Sequence, residues 1–155
     1  MTTASAPSLD DLGAALGALA ALAAIEDAVR ASCMALADRD RAGALAAFAA
    51  GARCEHGGFE GTAPDYVTAA LTGRLPGLSP RSWQVTSYGT GLSDAGAWAE
   101  TYVMADAPHG DMMAGLRLLD RLEREGDTWR IARRRTLLDW TFRWPQSTSD
   151  HGERK

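Results

Sequence analysis

The sequence lacks an excess of positive charge. Its 16 lysines and arginines are outnumbered by 20 aspartates and glutamates, which gives a formal net charge of -4 and a pI near 5.3. Proteins that bind nucleic acid as their main partner need basic patches to neutralise phosphates, and anionic bilayers attract polybasic segments in the same way. The composition therefore argues against nucleic acid and against a membrane surface as partners.

Cysteines and long apolar runs are also scarce. The two cysteines, Cys33 and Cys54, are too few for a disulfide framework, so we expect both to be free thiols. The longest apolar run, residues 12–25, is shorter than the roughly 20 residues that cross a bilayer. No basic stretch precedes this run as in a signal peptide. These absences predict a soluble, cytoplasmic protein.

The size of the chain is that of one domain. Its 155 residues, 46% of them hydrophobic, are enough to bury a sizeable core. We predict a single domain over residues 8–144, with a flexible N-terminal arm at residues 1–7 and a flexible C-terminal tail at residues 145–155. No internal repeat or low-complexity segment indicates another organisation.

Helical patterns fill the first half of this domain. Ser8 followed by Asp11 predicts a helix start. Two apolar stripes follow and predict one long helix or two helices with a bend: the first is Leu9, Leu12, Leu16 and Leu19, and the second is Leu22, Ile25, Val29, Cys33 and Leu36. Asp40 is expected to cap a short helix over residues 41–50 that stops at Gly51. A further helix is predicted to begin near Pro64.

Strand patterns fill the second half. Alternating polarity and β-branched or aromatic residues predict strands at residues 82–88, 97–105, 113–125 and 128–140. The turn at residues 125–127 joins the last two strands as an antiparallel hairpin. Helices followed by a meander of strands predict an α+β fold, in which a curved antiparallel or mixed sheet wraps around the N-terminal helices. The hollow of such a sheet is suited to binding small molecules.

Several short segments carry a family resemblance: Ala24-Ile25-Glu26-Asp27, Ala37-Asp38-Arg39-Asp40, the strand end Glu60-Gly61, and above all residues 122–131 running to Asp139-Trp140. In type and order they resemble the SnoaL-like branch of the nuclear-transport-factor-2-like superfamily, which includes scytalone-dehydratase-like and dehydrochlorinase-like lyases. The resemblance covers roughly residues 19–140. It implies a cone-shaped fold with an internal pocket.

Members of this branch that eliminate water or halide are expected to pair an acid on the first helix with a histidine on a later strand. The carboxylate orients the imidazole, which takes a proton from carbon. The resemblance puts Ala37 at the acid position, Trp83 at the histidine position and Leu118 at a polar position of a later strand. Asp38 lies one residue from the acid position, and Trp83 is expected to stack against a substrate ring.

Cys54 and His56 form the most reactive pair in the sequence. They lie two residues apart on a predicted strand and therefore share a face, which the resemblance directs toward the pocket. His56 is a candidate general base, or the pair is a candidate thiolate nucleophile. The alternative is a buried apolar cysteine beside a hydrogen-bonded histidine. The pair supplies only two metal ligands and no third residue has fitting spacing, so no metal is expected.

Asp120 lies on the same predicted strand face as Leu118 and Leu122. Buried there, it is a second candidate for a catalytic base. The alternative is a structural ion pair with Arg134 or another arginine of the last strand. Both interpretations stay open.

Aromatic and basic side chains complete the predicted site. Tyr102 is expected to donate a hydrogen bond to a carbonyl or a developing oxyanion, and Tyr88 is a weaker candidate for the same role. Alternation along a strand places Arg133 and Arg135 on one face. That face is either solvated, or one inward arginine, for which Arg135 is the candidate, binds a carboxylate or phenolate of the ligand.

Together these residues favour a cofactor-independent lyase or isomerase that acts on a small aromatic or polycyclic molecule by elimination, dehydration, proton transfer or retro-aldol-type cleavage. His56 or Asp120 would be the base. The alternative is a non-catalytic small-molecule-binding or dimerisation module, which the replaced dyad supports. The broad apolar sheet face common to this fold predicts a homodimer or a homotrimer.

Overall fold

A computed structural model describes residues 6–76, 83–93, 95–106 and 112–145, with the backbone alone at residues 86–88. The described helices are α1 (Leu9–Ala37), α2 (Arg41–Ala46) and α3 (Ala63–Leu71). The described strands are β1 (Phe48–His56), β2 (Phe59–Thr62), β3 (Trp83–Ser93), β4 (Gly96–Asp106), β5 (Met112–Glu125) and β6 (Thr128–Arg143). The four strands predicted in the second half are confirmed, and β3 and β6 run further than expected.

Helix α1 is one continuous helix of 29 residues. A capping box starts it: the Ser8 hydroxyl accepts from the Asp11 backbone N–H at 3.1 Å, and the Asp11 carboxylate accepts from the Ser8 N–H at 3.0 Å. Only the C-terminal half of α1 enters the core, through the buried side chains of Ile25, Val29, Ser32, Cys33 and Leu36. The predicted second stripe is therefore the core-facing one, and the first stripe of leucines stays exposed.

By length and composition alone, α1 is a helix that could cross a membrane. The sequence expectation considered only the apolar run at residues 12–25, whereas the helix extends through Ala37. Helices that pack in soluble cores and helices of signal sequences satisfy the same criterion. Since the C-terminal half of α1 is buried against the sheet, that half is a core helix.

Helix α2 is shorter than predicted, because the residues that follow it form a strand of the sheet. Its last residue is Ala46, and Phe48 already pairs with Ile131 of β6. The Ala47 carbonyl accepts a hydrogen bond from the Ile131 N–H at 2.9 Å. Gly51, expected at a helix end, lies inside β1 with φ +79°, where the pairing of β1 with β6 shifts register. It therefore serves as a bulge residue.

The six described strands form one mixed sheet in the order β2-β1-β6-β5-β4-β3. Strand β1 runs parallel to β6, and the other neighbours are antiparallel. Gly126, with φ +62°, makes the tight turn of the predicted β5–β6 hairpin. Helix α1 packs on one face of the sheet against β3, β4 and β6, and α3 packs against β1 and β2. We call the covered face the inner face and the opposite one the outer face.

Candidate active site

Polar side chains meet on the inner face in two adjacent rows that run across the strands. Strand register defines each row, because residues paired across neighbouring strands lie side by side on one face. The first row consists of Cys54, Arg134, Asp120 and Ala99. The second row consists of His56, Thr136, Leu118 and Thr101. All eight residues are buried, which confirms that Cys54 and His56 share a face.

His56 is a buried imidazole with one nitrogen bound and one free. Its Nε2 lies 2.5 Å from the carbonyl oxygen of Pro76. Because a carbonyl can only accept, Nε2 carries the proton and the neutral ring presents an unprotonated Nδ1. Nδ1 is buried and has no hydrogen-bond partner among the described residues. Burial lowers the pKa of His56 below 6.5, and the bond to Pro76 only partly opposes this shift.

Asp120 is held by an arginine rather than left as a base. Arg134 donates to both carboxylate oxygens, from Nε at 2.8 Å and from Nη2 at 2.7 Å, and neither side chain is exposed. The same Nη2 donates to the Ser32 hydroxyl at 2.9 Å, and the guanidinium lies 5.2 Å from the Phe48 ring centroid. Burial opposes the charge of Arg134, but the attraction of Asp120 outweighs it, so the pKa of Arg134 is raised. Of the two interpretations of Asp120, the geometry favours the structural ion pair.

Further buried polar atoms are left without partners. Trp83 Nε1, Thr101 Oγ1 and Arg134 Nη1 have no hydrogen-bond partner among the described residues. Buried polar groups in proteins are nearly always paired, so each exception requires an explanation. All three side chains belong to the inner face, Trp83 on β3 opposite Ala105 and Thr101 in the second row. With His56 Nδ1 they present three donors and one acceptor to the interior.

Neither cysteine is activated. Burial raises the pKa of Cys33 and of Cys54 to about 11, more than the charge of Arg134 lowers it. Both side chains therefore stay protonated at neutral pH, and the thiolate role considered for Cys54 loses its physical basis. Within the described ranges no group of three or more possible metal ligands is found.

Three predicted site residues lie away from the inner face. Tyr102 is 40% exposed on the outer face and donates to Glu100 at 3.1 Å. Arg135 is exposed on the outer face, with Nε 3.7 Å from the Glu55 carboxylate. Asp38 is the exposed C-cap of α1. Tyr102 and Arg135 point outward because their strand neighbours Thr101 and Arg134 take the inner face, so the solvated face is the alternative that fits Arg135. Asp38 lies outside the site because it ends the helix at the surface.

Trp83 and Leu118 do face inward, with exposures of 5% and 0%. The side chain of Tyr88, the remaining predicted ligand contact, lies outside the described residues, as does His109.

Sequence reasoning missed two buried hydroxyl side chains of the inner face, Thr101 and Thr136. The signal for Thr101 was available, since it is the one hydroxyl on a β4 face otherwise made of Ala97, Ala99, Val103 and Ala105. Thr136 lies 3.5 Å from the hydroxyl of Tyr66. Tyr66 is fully buried, its pKa is raised to about 12 by burial, and its ring centroid lies 6.5 Å from that of His56.

A cleft of about 390 Å³ adjoins the His56 end of the second row. It is lined by Phe59, Asp65, Thr68, Ala69, Arg74 and Leu75. Phe59 pairs with His56 across β1 and β2, and Leu75 directly precedes Pro76, whose carbonyl accepts the hydrogen bond from His56 Nε2. The histidine is therefore buried close to a surface depression and not in the centre of the core.

Comparison with known proteins shows the fold. No protein-family model and no curated protein matches the chain. Among solved structures, the hexachlorocyclohexane dehydrochlorinase LinA-type3 from Novosphingobium barchaimii LL02 is similar with a TM-score of 0.66 and 13% identity, over 83% of this chain and 92% of that one. A provisionally assigned scytalone dehydratase from Novosphingobium aromaticivorans DSM 12444 is similar with a TM-score of 0.62 and 17% identity, over 82% and 89%.

An NTF2-like protein of unknown function from Pseudomonas putida KT2440 is similar as well, with a TM-score of 0.63 and 16% identity over 79% of this chain and 96% of that chain. At such identities the likeness is one of fold. The chain has the fold of NTF2-like proteins, which confirms the α+β architecture predicted from the sequence.

Proposed function

We propose that this chain is a cofactor-independent lyase or isomerase that uses His56 as a general base on a small aromatic or polycyclic molecule. One observation carries the proposal: His56 is a buried, neutral imidazole whose Nδ1 is unprotonated and has no partner among the described residues. A base of this kind is able to accept a proton without first losing a hydrogen bond. Solved structures of the same fold include a provisionally assigned scytalone dehydratase.

The reaction begins with transfer of a carbon-bound proton to Nδ1. The C–H bond breaks, the N–H bond forms, and the electron pair moves into the substrate as an enolate or expels a leaving group. The imidazolium that results keeps its Nε2–H bond to the Pro76 carbonyl, which fixes the ring in place. Return of the proton to another carbon completes an isomerisation, and transfer to the leaving group completes an elimination. A positioned base of this type contributes about 10²–10⁴-fold in rate.

Trp83 and Thr101 supply hydrogen-bond donors for the negative charge that develops. The indole N–H and the hydroxyl are buried and unpaired among the described residues, so an oxygen of the substrate would satisfy them. Thr101 and His56 are three strands apart in the second row, about 14 Å along a flat sheet at the usual strand spacing. A substrate that contacts both His56 and Thr101 would therefore need more than one ring.

The second candidate is a module that binds such a molecule without converting it. The observation that favours it is the partner of His56, which is a backbone carbonyl and not a carboxylate. Under this interpretation the unpaired donors bind the ligand and no proton is exchanged.

The cytoplasmic location remains a prediction.

The test compares wild type with His56→Gln in a screen of aromatic and polycyclic ketones and alcohols, following turnover and the exchange of substrate protons with deuterated water. Glutamine keeps a donor for the Pro76 carbonyl but has no basic nitrogen. We expect exchange by the wild type and a loss of about 10²-fold or more in the variant. Tyr102→Phe, which changes only an outer-face hydroxyl, is the control and should keep full activity. Binding without exchange by the wild type would favour the second candidate.

A further inference from the structure

Arg134 keeps one hydrogen-bond donor that the reaction of His56 does not use. Its Nη1 is buried and has no partner among the described residues. The other two nitrogens of the guanidinium are occupied, because Nε and Nη2 donate to the Asp120 carboxylate and Nη2 also donates to the Ser32 hydroxyl. A buried donor on a charged group is costly to leave unpaired. This nitrogen is therefore a candidate contact for a ligand.

The contacts of the guanidinium indicate which way Nη1 faces. The group is planar and its donors diverge in a fixed fork. Since Nε and Nη2 form the edge that meets Asp120 on β5, Nη1 lies on the side away from β5. The other neighbour of β6 is β1, whose Phe48 ring centroid lies 5.2 Å from the guanidinium carbon. Nη1 therefore faces the β1 side of the inner face, where His56 lies.

Among the described residues, three donors of the inner face are unpaired, and Arg134 is the one on the strand next to His56. His56 lies opposite Thr136, two residues from Arg134, so the Cα atoms of His56 and Arg134 are about 8 Å apart at the usual strand spacing. Thr101 is three strands from β1, and Trp83 is four. A carbonyl oxygen is two bonds from the carbon whose proton it makes acidic, so its donor must lie near the base. The more distant donors then suit oxygens farther along the ligand.

The charge of Arg134 is already balanced within the chain. Asp120 binds the guanidinium through both oxygens, and neither side chain has exposed surface. Burial raises the pKa of the neighbouring Cys33 to about 11 and that of Tyr66 to about 12, so both are neutral at pH 7. An anionic ligand would bring an uncompensated charge into this interior, which is unfavourable. A neutral acceptor satisfies Nη1 without changing the net charge.

We propose that Arg134 Nη1 binds the carbonyl oxygen of an uncharged ketone, and that the site selects against anions of the same shape. The proposal rests on the proposed function, because it places the carbonyl beside the proton that His56 removes. Arg134 is then a catalytic residue that stabilises the enolate oxygen, and the proton gained by His56 balances the enolate charge. Asp120 and Ser32 are positioning residues that hold the guanidinium.

This proposal changes the ligand class expected from the sequence. The sequence predicted that one inward arginine, Arg135, binds a carboxylate or a phenolate. The inward arginine is Arg134, and the carboxylate that it binds is Asp120 of the same chain. A ligand carboxylate would therefore compete with a buried partner that is already in place.

The experiment compares three probes built on the same two rings: the ketone 2-acetonaphthone, the carboxylate 2-naphthoate, and naphthalene, which has no oxygen. Quenching of tryptophan fluorescence at pH 7 measures each Kd. We expect the wild type to bind the ketone about 10-fold more tightly than naphthalene, and on the order of 100-fold more tightly than naphthoate. Infrared spectra should show the carbonyl stretch of the bound ketone at a lower frequency than in water-free solvent, as direct contact with a charged donor requires.

Three variants separate the donor role of Arg134 from its structural role. Asp120→Leu/Arg134→Met removes the donor with its counter-charge, and such replacements usually keep the fold; its preference for the ketone over naphthalene should disappear. Asp120→Asn, measured below its Tm, leaves the guanidinium without a counter-charge and should prefer naphthoate, which a structural role alone does not predict. Arg117→Met/Asp139→Leu removes an ion pair of the outer face and is the matched control, with unchanged preferences.

Several outcomes would overturn the proposal. These are equal binding of ketone and naphthalene by the wild type, no binding of any probe, an unchanged ketone preference in Asp120→Leu/Arg134→Met, or a ketone preference retained in Asp120→Asn. Exchange of the ketone protons with deuterated water tests the proposed function separately. A ketone preference that depends on Arg134, without proton exchange by the wild type, would support the Arg134 contact and refute the catalytic role of His56.

Discussion

Replacing Asp120 by asparagine should destabilise the fold more than any exposed charge replacement. The change leaves the guanidinium of Arg134, which has no exposed surface, without its counter-charge. Breaking a buried ion pair from one side costs about 3–5 kcal/mol. For a domain of this size each kcal/mol lowers Tm by about 2–4 °C, so we expect a decrease on the order of 10 °C. Urea unfolding followed by tryptophan fluorescence, with thermal unfolding by circular dichroism, measures the loss.

Asp139→Asn is the matched control. Asp139 pairs with Arg117 at 2.7 Å, but both side chains are about one-third exposed on the outer face. Solvent screening reduces such a pair to about 1 kcal/mol or less. Equal losses of unfolding free energy in Asp120→Asn and Asp139→Asn would refute the reasoning, because burial would then make no difference.

A double variant separates two free energies: the cost of leaving the Arg134 charge buried without a partner, and the net stabilisation that the ion pair provides. Asp120→Leu with Arg134→Met removes both charges and keeps apolar volume, and such replacements are often neutral or stabilising. Ser32 keeps a hydrogen bond from its hydroxyl to the Val29 carbonyl at 2.7 Å. We therefore expect the double variant to regain most of the stability lost in Asp120→Asn, as a double-mutant cycle would show.

Three further predictions concern other buried positions. Burial lowers the pKa of His56 below 6.5, so below that pH the unfolded chain binds a proton at His56 that the folded chain does not. The unfolding free energy should therefore fall as the pH drops below 6.5, and it should fall less steeply in His56→Gln. Cys54, with a pKa of about 11, should react with iodoacetamide at pH 8 only after unfolding in urea; rapid labelling of the native chain would contradict its burial. Gly115→Val should lower Tm, because the new side chain meets the Trp140 ring, and an unchanged Tm would refute that contact.

Local sequence patterns predicted most of the fold. Alternating burial along β4 and the glycine turn after β5 are short-range features, and the structure confirms both. The end of α2 could not be predicted in this way. An alanine-rich run has no local reason to leave the helix at Ala46; the reason is a pairing of Ala47 and Phe48 with Ile131, more than 80 residues away in the chain.

Fewer residues of the candidate site were predicted correctly. The site depends on which side chains of each strand point to the inner face and on a main-chain hydrogen-bond partner. A shift of one residue on β4 exchanges Tyr102 for Thr101 on the inner face. The sequence left open whether Asp120 is a catalytic base or part of a structural ion pair. The strand register places Asp120 opposite Arg134 and so favours the ion pair. The partner of His56 is a main-chain carbonyl, and side-chain patterns contain no signal for it.

The identity of that partner limits the chemistry available to His56. A carboxylate would stabilise the imidazolium by its charge, whereas the Pro76 carbonyl offers only a dipole and burial disfavours the charged ring. A base whose conjugate acid is weakly stabilised removes only protons that are already acidic, such as those next to a carbonyl group. The unpaired donors of Trp83 and Thr101 suit the enolate oxygen that such a step creates. We therefore expect proton exchange with ketones and none with alkyl halides; halide elimination without ketone exchange would contradict this account.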